Sequence, residues 1–397
     1  MLHRKLSMRT VPLAVLLSAA HVGHASVCTP AFVAPPHPGN NLTLHNGVAL
    51  QDVCFQGPGP FHVFVLGDWG GHGVPARPVD DKKRPWVDAV DGFAQQRVAA
   101  QMAKRAATSR PDYLLNVGDN FYWAGVETSC THPEVWTSQW GTTFEGIYGG
   151  FGLDGKPWLG VLGNHDYGGW LYSMGWTQTI AQTWVPGGRW MTPAQYWTVK
   201  VSYPNFSVDY FFLDSNMFDT ADPNSNPEHN ICSLQHNVGT NCSAQGGPAS
   251  VWECPGYFKA LWDTQQIWLE KRLSGSKADW QIVVTHFPPT WGPNVWAPLA
   301  NKYGIDLFIT GHVHYQRVLG PADPDNFLAP SAYIVSGGGG GIQSEASVDA
   351  EGDDDGYGFF DLTLGKDEIK ITAVTHGGQV RATERLHPRS APTSSLP

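Results

Sequence analysis

The chain has 397 residues, 42% of them hydrophobic, with 35 acidic against 25 basic side chains and a formal net charge of −10. This composition allows a sizeable core, in one large domain or in two or three smaller ones. The acidic balance repels a phosphate backbone and argues against a nucleic-acid binder, but not against a small anionic substrate, because bound cations can dominate the field inside a pocket.

His3, Arg4, Lys5 and Arg9 precede an apolar stretch over 11–20 and small residues ending at Ala25. This is the pattern of a secretory signal peptide over 1–25, cleaved near Ala25-Ser26. A membrane anchor needs about 18 to 20 uninterrupted apolar residues, whereas His21 and His24 interrupt this segment. No later stretch is apolar enough to insert, and the tail carries no anchor or retention signal, so the expectation is a secreted protein with no membrane insertion. Residues 26–58 read as an N-terminal extension whose Pro- and His-rich part, 29–39, lies outside the core. Residues 59–387 read as one domain and 388–397 as a flexible tail. Six cysteines, Cys28, Cys54, Cys130, Cys232, Cys242 and Cys254, permit full pairing in a secreted chain. A Cys28–Cys54 bridge and pairing of the other four among themselves both fit, without a unique solution. Asn41, Asn205 and Asn241 begin glycosylation acceptor patterns.

The first strong strand signal is FHVFVL, ending at Gly67-Asp68-Trp69-Gly70. A polar loop over 72–84 and a helix over 92–108 follow, with Phe93, Val98, Met102 and Ala106 on one face. YLLNV then runs into Gly118-Asp119-Asn120-Phe121-Tyr122, and WLGVL into Gly163-Asn164-His165-Asp166. The runs 196–203 and 208–213 read as strands, and 219–256 as a polar, cysteine-bearing insert. A helix over 264–273 feeds QIVVT before His286, and a short helix over 295–303 feeds IDLFIT before Gly311-His312-Val313-His314. Runs 331–336, 358–364 and 368–375 look like hairpin strands. The five-glycine run 337–341 lacks the Lys-Ser/Thr of a nucleotide loop and reads as close backbone approach beside a site. Alternating helices and strands followed by hairpins predict an α/β fold with mixed sheets.

Five strand-like runs therefore end in residues able to hold a metal. In open α/β sheets, ligands gather beyond the carboxyl ends of the strands. The donors are carboxylates, a phenol, a carboxamide and imidazoles, a set suited to iron, zinc or manganese. Asp119 can bridge two cations through its two oxygens. His312 and His314 are two apart, which puts both rings on one face of an extended chain. Taken singly, each has an ordinary reading: Asp119 as a cap, Asn164 as a turn residue, His286 as a core imidazole, Tyr122 as a packed aromatic. Their coincidence at successive strand ends is what points to a site.

The ordered set GDWG, GDNFY, GNHD, TH and GHVH, with LNVGDNFYWAGV, TQQIWLEKRL and YIVSGGGG, resembles the purple acid phosphatases of the metallophosphoesterase superfamily. The likeness is strongest to their small tartrate-resistant branch and spans about 61–341. The resemblance implies a four-layer α/β/β/α sandwich of two mixed sheets. It implies that Asp68, Tyr122 and His314 hold Fe(3+), that Asn164, His286 and His312 hold a divalent ion (Zn, Fe or Mn), and that Asp119 bridges them. It implies that His165 is the catalytic residue facing the substrate, a small phosphomonoester. Two such cations polarise phosphoryl oxygens, activate water for in-line attack and make a covalent intermediate unnecessary. His165 then serves the leaving group, with Asp166 behind it. A protonated His165 favours acid pH.

One departure stands out: the branch carries a second outer histidine shortly after the position of His286, where this chain reads Thr290-Trp291-Gly292-Pro293-Asn294-Val295. Asn294 can position substrate but not protonate it. The competing readings are a phosphodiesterase or nucleotidase of the same superfamily, which Tyr122 argues against, and a catalytically silent secreted binding protein, which has no need of the full ligand set.

Overall fold

The computed structural model describes residues 28–71, 85–133, 135–346 and 356–388. The signal-peptide segment 1–25, the polar loop 72–84 and nearly all of the expected tail lie outside the described residues. Two sheets form the centre. In the first, Val48–Ala49 and Val53–Cys54 both pair with Trp197–Ser202, followed in space by Ser207–Phe212, Trp280–Val284, Leu307–Thr310, Ala332–Ser336 and Gln316–Leu319. The second runs Val380–Leu386, Ile369–Thr375, Gly358–Leu364, Phe61–Leu66, Tyr113–Asn116, Trp158–Gly160 and Trp190–Met191.

Alternation along the strands builds the layers, because successive side chains point to opposite faces. Val63 and Val65 enter the core between the sheets, where they meet Val208, Tyr210, Ile282, Val284 and Ile309 of the other sheet. Phe64 and Leu66 point the other way, onto Ala94, Val98 and Met102 of the helix Ala94–Ser109. In the first sheet, Val283 and Phe308 face outward onto Phe258, Leu261 and Leu269 of the helix Cys254–Gly275 and Trp296 of the helix Pro293–Tyr303. The order of layers is helix, sheet, sheet, helix, and both sheets are mixed, as expected.

Three expectations need correction. Phe93, expected on one helix face with Val98, Met102 and Ala106, precedes the helix Ala94–Ser109 and is exposed, while the other three are buried. The helix expected over 264–273 starts ten residues earlier, at Cys254. Pro255 is no breaker there, since it occupies the first turn, where its missing N–H has no partner to lose. The 29–39 stretch is not outside the core: Phe32 and Ala34 pack against the cluster between the sheets, and the Pro35 carbonyl accepts Trp184 Nε1–H at 2.7 Å. All six cysteines are paired, Cys28–Cys54, Cys130–Cys242 and Cys232–Cys254.

Within each sheet, the strands that precede the motifs run parallel: Phe61–Leu66 with Tyr113–Asn116 and that with Trp158–Gly160, and Trp280–Val284 with Leu307–Thr310. Their carboxyl ends therefore gather at one edge. The glycine run ties the loops together there: Gly339 N–H donates to Gly67 O at 3.1 Å and Gly341 N–H to Asp68 O at 2.9 Å. A Cβ at Gly341 would sit 2.6 Å from Gly70 N and 2.7 Å from Tyr122 Cδ2, so only glycine lets this segment pass beside the site.

Candidate metal centre

Each motif splits into a residue that anchors its loop and one turned toward the site. Trp69 is fully buried, its Nε1–H donating to Asn116 Oδ1 at 3.1 Å amid Phe121, Phe144 and Trp158. With Trp69 fixed, Asp68 faces the other way. Phe121 packs edge-on against Trp140, and Tyr122 turns to the site. Asp68, Asp119 and His312 have φ of 57°, 51° and 69°, a left-handed backbone costly for side-chain-bearing residues and concentrated in proteins at functional sites.

The side chains expected from sequence converge. Asp119, His286 and His312 offer ligand atoms within 4.8 Å of one another, as do Asp68, Asp119 and His314; Asp119 belongs to both groups. Asn164 joins the first group: its Oδ1 lies 3.1 Å from His286 Nε2 and 3.3 Å from His312 Nδ1. Tyr122 joins the second, its hydroxyl 3.1 Å from Asp68 Oδ1, 3.0 Å from Asp119 Oδ2 and 3.5 Å from His314 Nε2. His165 lies beside them, its backbone N–H donating to Asp119 Oδ1 at 2.8 Å.

The surroundings set the tautomers. A carbonyl can only accept, so His286 Nδ1–H donates to Val117 O at 2.8 Å and His165 Nδ1–H to Trp123 O at 2.6 Å, which in the neutral imidazoles leaves both Nε2 lone pairs toward the site. His314 Nδ1 meets Glu345 Oε1 at 3.1 Å with the same effect. Asp166 accepts from Gly163 N, Asn120 N and Asn120 Nδ2 at 2.8, 3.1 and 2.9 Å, locking the Asn164–His165 turn to the Asp119 loop.

Electrostatics make the same point. Burial pushes Asp68 up to about 7, with His286 pulling down and Asp119 adding to the rise. Burial opposes charge on Asp119 too, but His286 and His165 outweigh it and hold Asp119 below the carboxylate range. His286 is raised to about 9, the carboxylate of Asp119 overcoming its burial. Burial and the neighbouring His286 push His312 well below its ordinary value. Burial, Asp119 and Asp68 push the Tyr122 phenol well up. The buried edge thus concentrates lone pairs and negative charge that a proton on His286 compensates only in part. Cations fit this donor set, and the oxygen and nitrogen atoms suit hard or borderline metals.

Sequence reasoning missed three contributors. Glu345 sits four residues beyond the glycine run in no motif. Asp219, in the insert, is buried and pushed up to about 7 by burial and Asp119, the Asn164 amide pulling the other way. The Trp123 carbonyl is invisible to any side-chain pattern. Asn294 is exposed on the first turn of its helix.

A two-sheet sandwich with this cluster at its strand ends defines a metal-dependent phosphoesterase. The calcineurin-like phosphoesterase family model matches residues 61–316, and the chain belongs to that family. It is 26% identical to tartrate-resistant acid phosphatase type 5 of Oryctolagus cuniculus, over 88% of this chain and 97% of that one. It is 26% identical to purple acid phosphatase 7 of Arabidopsis thaliana, over 84% and 88% respectively. These relatives bear out the family resemblance and the expected enzyme class, a phosphoric monoester hydrolase. Among solved structures, GAP50, the anchor in the inner membrane complex of Plasmodium, shares the fold with a TM-score of 0.56 and 17% identity, over 84% of this chain and 90% of that one.

Proposed function

We propose that the protein is a secreted, dinuclear-metal acid phosphatase acting on small phosphomonoesters. The observation that carries this reading is the membership of Asp119 in both ligand groups. Asp119, Asn164, His286 and His312 would hold a divalent ion, and Asp119, Asp68, Tyr122 and His314 a ferric one. Bound there, such a pair polarises phosphoryl oxygens and lowers the pKa of water, so that in-line displacement needs no covalent intermediate.

The chain's own residues supply the rest. His165 presents Nε2, its tautomer set by Trp123 O, to bind the phosphoryl group and, when protonated, to hand its proton to the departing alkoxide. Burial lowers the His165 pKa from 6.5, so protonation calls for acid pH. Asp166 keeps the turn carrying Asn164 and His165 in register with Asp119. Phe287 and Trp291 pack on the His312 ring, at centroid distances of 4.0 and 5.0 Å, and limit water on that side.

Secretion is supported by complete cysteine pairing, which suits an oxidising compartment. Among the described residues, no helix is long and apolar enough to cross a membrane. Asn205 and Asn241 are exposed where a glycan can attach. The test is hydrolysis of 4-nitrophenyl phosphate against bis(4-nitrophenyl) phosphate by metal-loaded protein, from acid to neutral pH. Monoester turnover with an acid optimum is expected. Preference for the diester would replace this reading with the phosphodiesterase one, and two bound metals without hydrolysis of either would make the protein a silent relative.

A further inference from the structure

We propose that Trp123, Trp170 and His236 form a stacking subsite for a planar aromatic ring on the leaving group of the phosphomonoester. The inference rests on the phosphatase reading above and names the substrate class of that site.

The residues form a row that starts at the proton donor. The Trp123 ring lies 5.1 Å from the His165 ring; Trp170 follows at 6.2 Å with planes 19° apart, and His236 at 5.5 Å with planes 25° apart. Trp123 is 36% exposed, although an indole beside a buried centre usually completes the core. Trp123 meets His165 twice: its carbonyl accepts His165 Nδ1–H at 2.6 Å, and its ring flanks the same imidazole. A leaving group that comes alongside the His165 ring is therefore within reach of the exposed Trp123 ring.

The platform is also built to stay in place. Gly169 has φ +70°, and a Cβ there would lie 3.2 Å from His165 Nδ1, so the loop carrying Trp170 passes directly against the imidazole. Asn237 Nδ2–H donates to the Trp170 carbonyl at 2.8 Å, and Tyr172 Oη–H to Thr240 O at 2.9 Å. Both acceptor and donor partners in the insert lie between cysteines of the Cys130–Cys242 and Cys232–Cys254 bridges. The insert thus fixes Trp170 and supplies His236. A preorganised row of near-parallel rings that ends in an exposed indole loses little entropy on binding a flat ligand, which gains stacking contact there. Such a surface favours a phenyl ring or a nucleobase over an aliphatic alcohol.

The probes are phenylphosphonate and methylphosphonate as competitive inhibitors, which remove leaving-group reactivity from the comparison, and phenyl phosphate, adenosine 5′-monophosphate and glycerol 2-phosphate as substrates. Wild type should bind phenylphosphonate more tightly than methylphosphonate by roughly 3- to 10-fold. Trp170→Ala and, at the outer end, His236→Ala should reduce that preference and raise KM for the aromatic substrates at unchanged kcat, with glycerol 2-phosphate unaffected; Trp170→Phe should restore most of it. Dependence on Trp170 confined to phenyl phosphate, or to the nucleotide, identifies which ring the row takes. Equal inhibition by both phosphonates, or a preference untouched in all three variants, overturns the subsite. Glycerol 2-phosphate hydrolysis reports on the phosphatase reading alone, so the two can fail separately.

Discussion

The Tyr122 hydroxyl donates to Asp119 Oδ2 at 3.0 Å, and that same oxygen lies 3.3 Å from His286 Nε2. One carboxylate oxygen therefore touches a phenol of one ligand group and an imidazole of the other. If Tyr122 binds iron(III), its phenolate gives a broad visible charge-transfer band. Tyr122→Phe should lose that band on the iron-loaded protein while keeping wild-type circular dichroism, because only a hydroxyl is removed. A variant that keeps its colour would remove Tyr122 from the ligand set.

His165 is assigned to the substrate rather than to a metal. His165→Asn should lower kcat by ~10²- to 10⁴-fold, with the loss growing as the leaving group becomes more basic and metal content staying at the wild-type level. Equal losses for nitrophenyl and alkyl phosphates would show that the imidazole does not serve the leaving group.

Glu345 faces His314 Nδ1 at 3.1 Å, and a carboxylate behind a metal-binding imidazole fixes its orientation and raises its basicity. Glu345→Gln should weaken metal retention at the Asp68–His314 group by ~10- to 100-fold in a chelator competition, and Glu345→Asp less. Unchanged retention in both would reduce the contact to a surface pairing.

The metal-free protein should lose stability as pH rises from 6.5 to about 9. His286 is raised from 6.5 to about 9, so its contribution is complete below 6.5 and disappears as pH climbs through 9. Asp68 and Asp166, raised by burial from 3.8 to about 7, stabilise fully below 3.8 and lose the last of that contribution near 7. His165 and His312, lowered from 6.5, work in the opposite direction, but only below 6.5. Thermal unfolding of chelated protein should therefore show a lower Tm at pH 8.5 than at pH 6.5. Metal loading should shrink or reverse the difference, since metals bind the deprotonated ligands. A higher Tm at pH 8.5 without metal would contradict these assignments.

The candidate ligands were legible because each follows the last apolar residue of a strand, and parallel pairing brings such ends together. Asp68, Asp119 and Asn164 come from one sheet, and His286, His312 and His314 from the other. The layers were legible from alternation, as in Val63 and Val65 against Phe64 and Leu66. What escaped has a physical reason. Val48–Ala49 and Val53–Cys54 are two-residue strands, too short to show a period. The first turns of the helix Cys254–Gly275 contain Pro255 and Gly256, which read as breakers away from a helix start. Glu345 and the Trp123 carbonyl act through contacts that no local pattern encodes.

The most direct test of the two-group centre is metal stoichiometry in Asp119→Ala beside Asn164→Ala and wild type. Wild-type protein should retain two metals per chain after exhaustive dialysis, Asn164→Ala chiefly the one at the Asp68–Tyr122–His314 group, and Asp119→Ala neither. Two tightly held metals in Asp119→Ala would contradict the shared carboxylate on which the account rests.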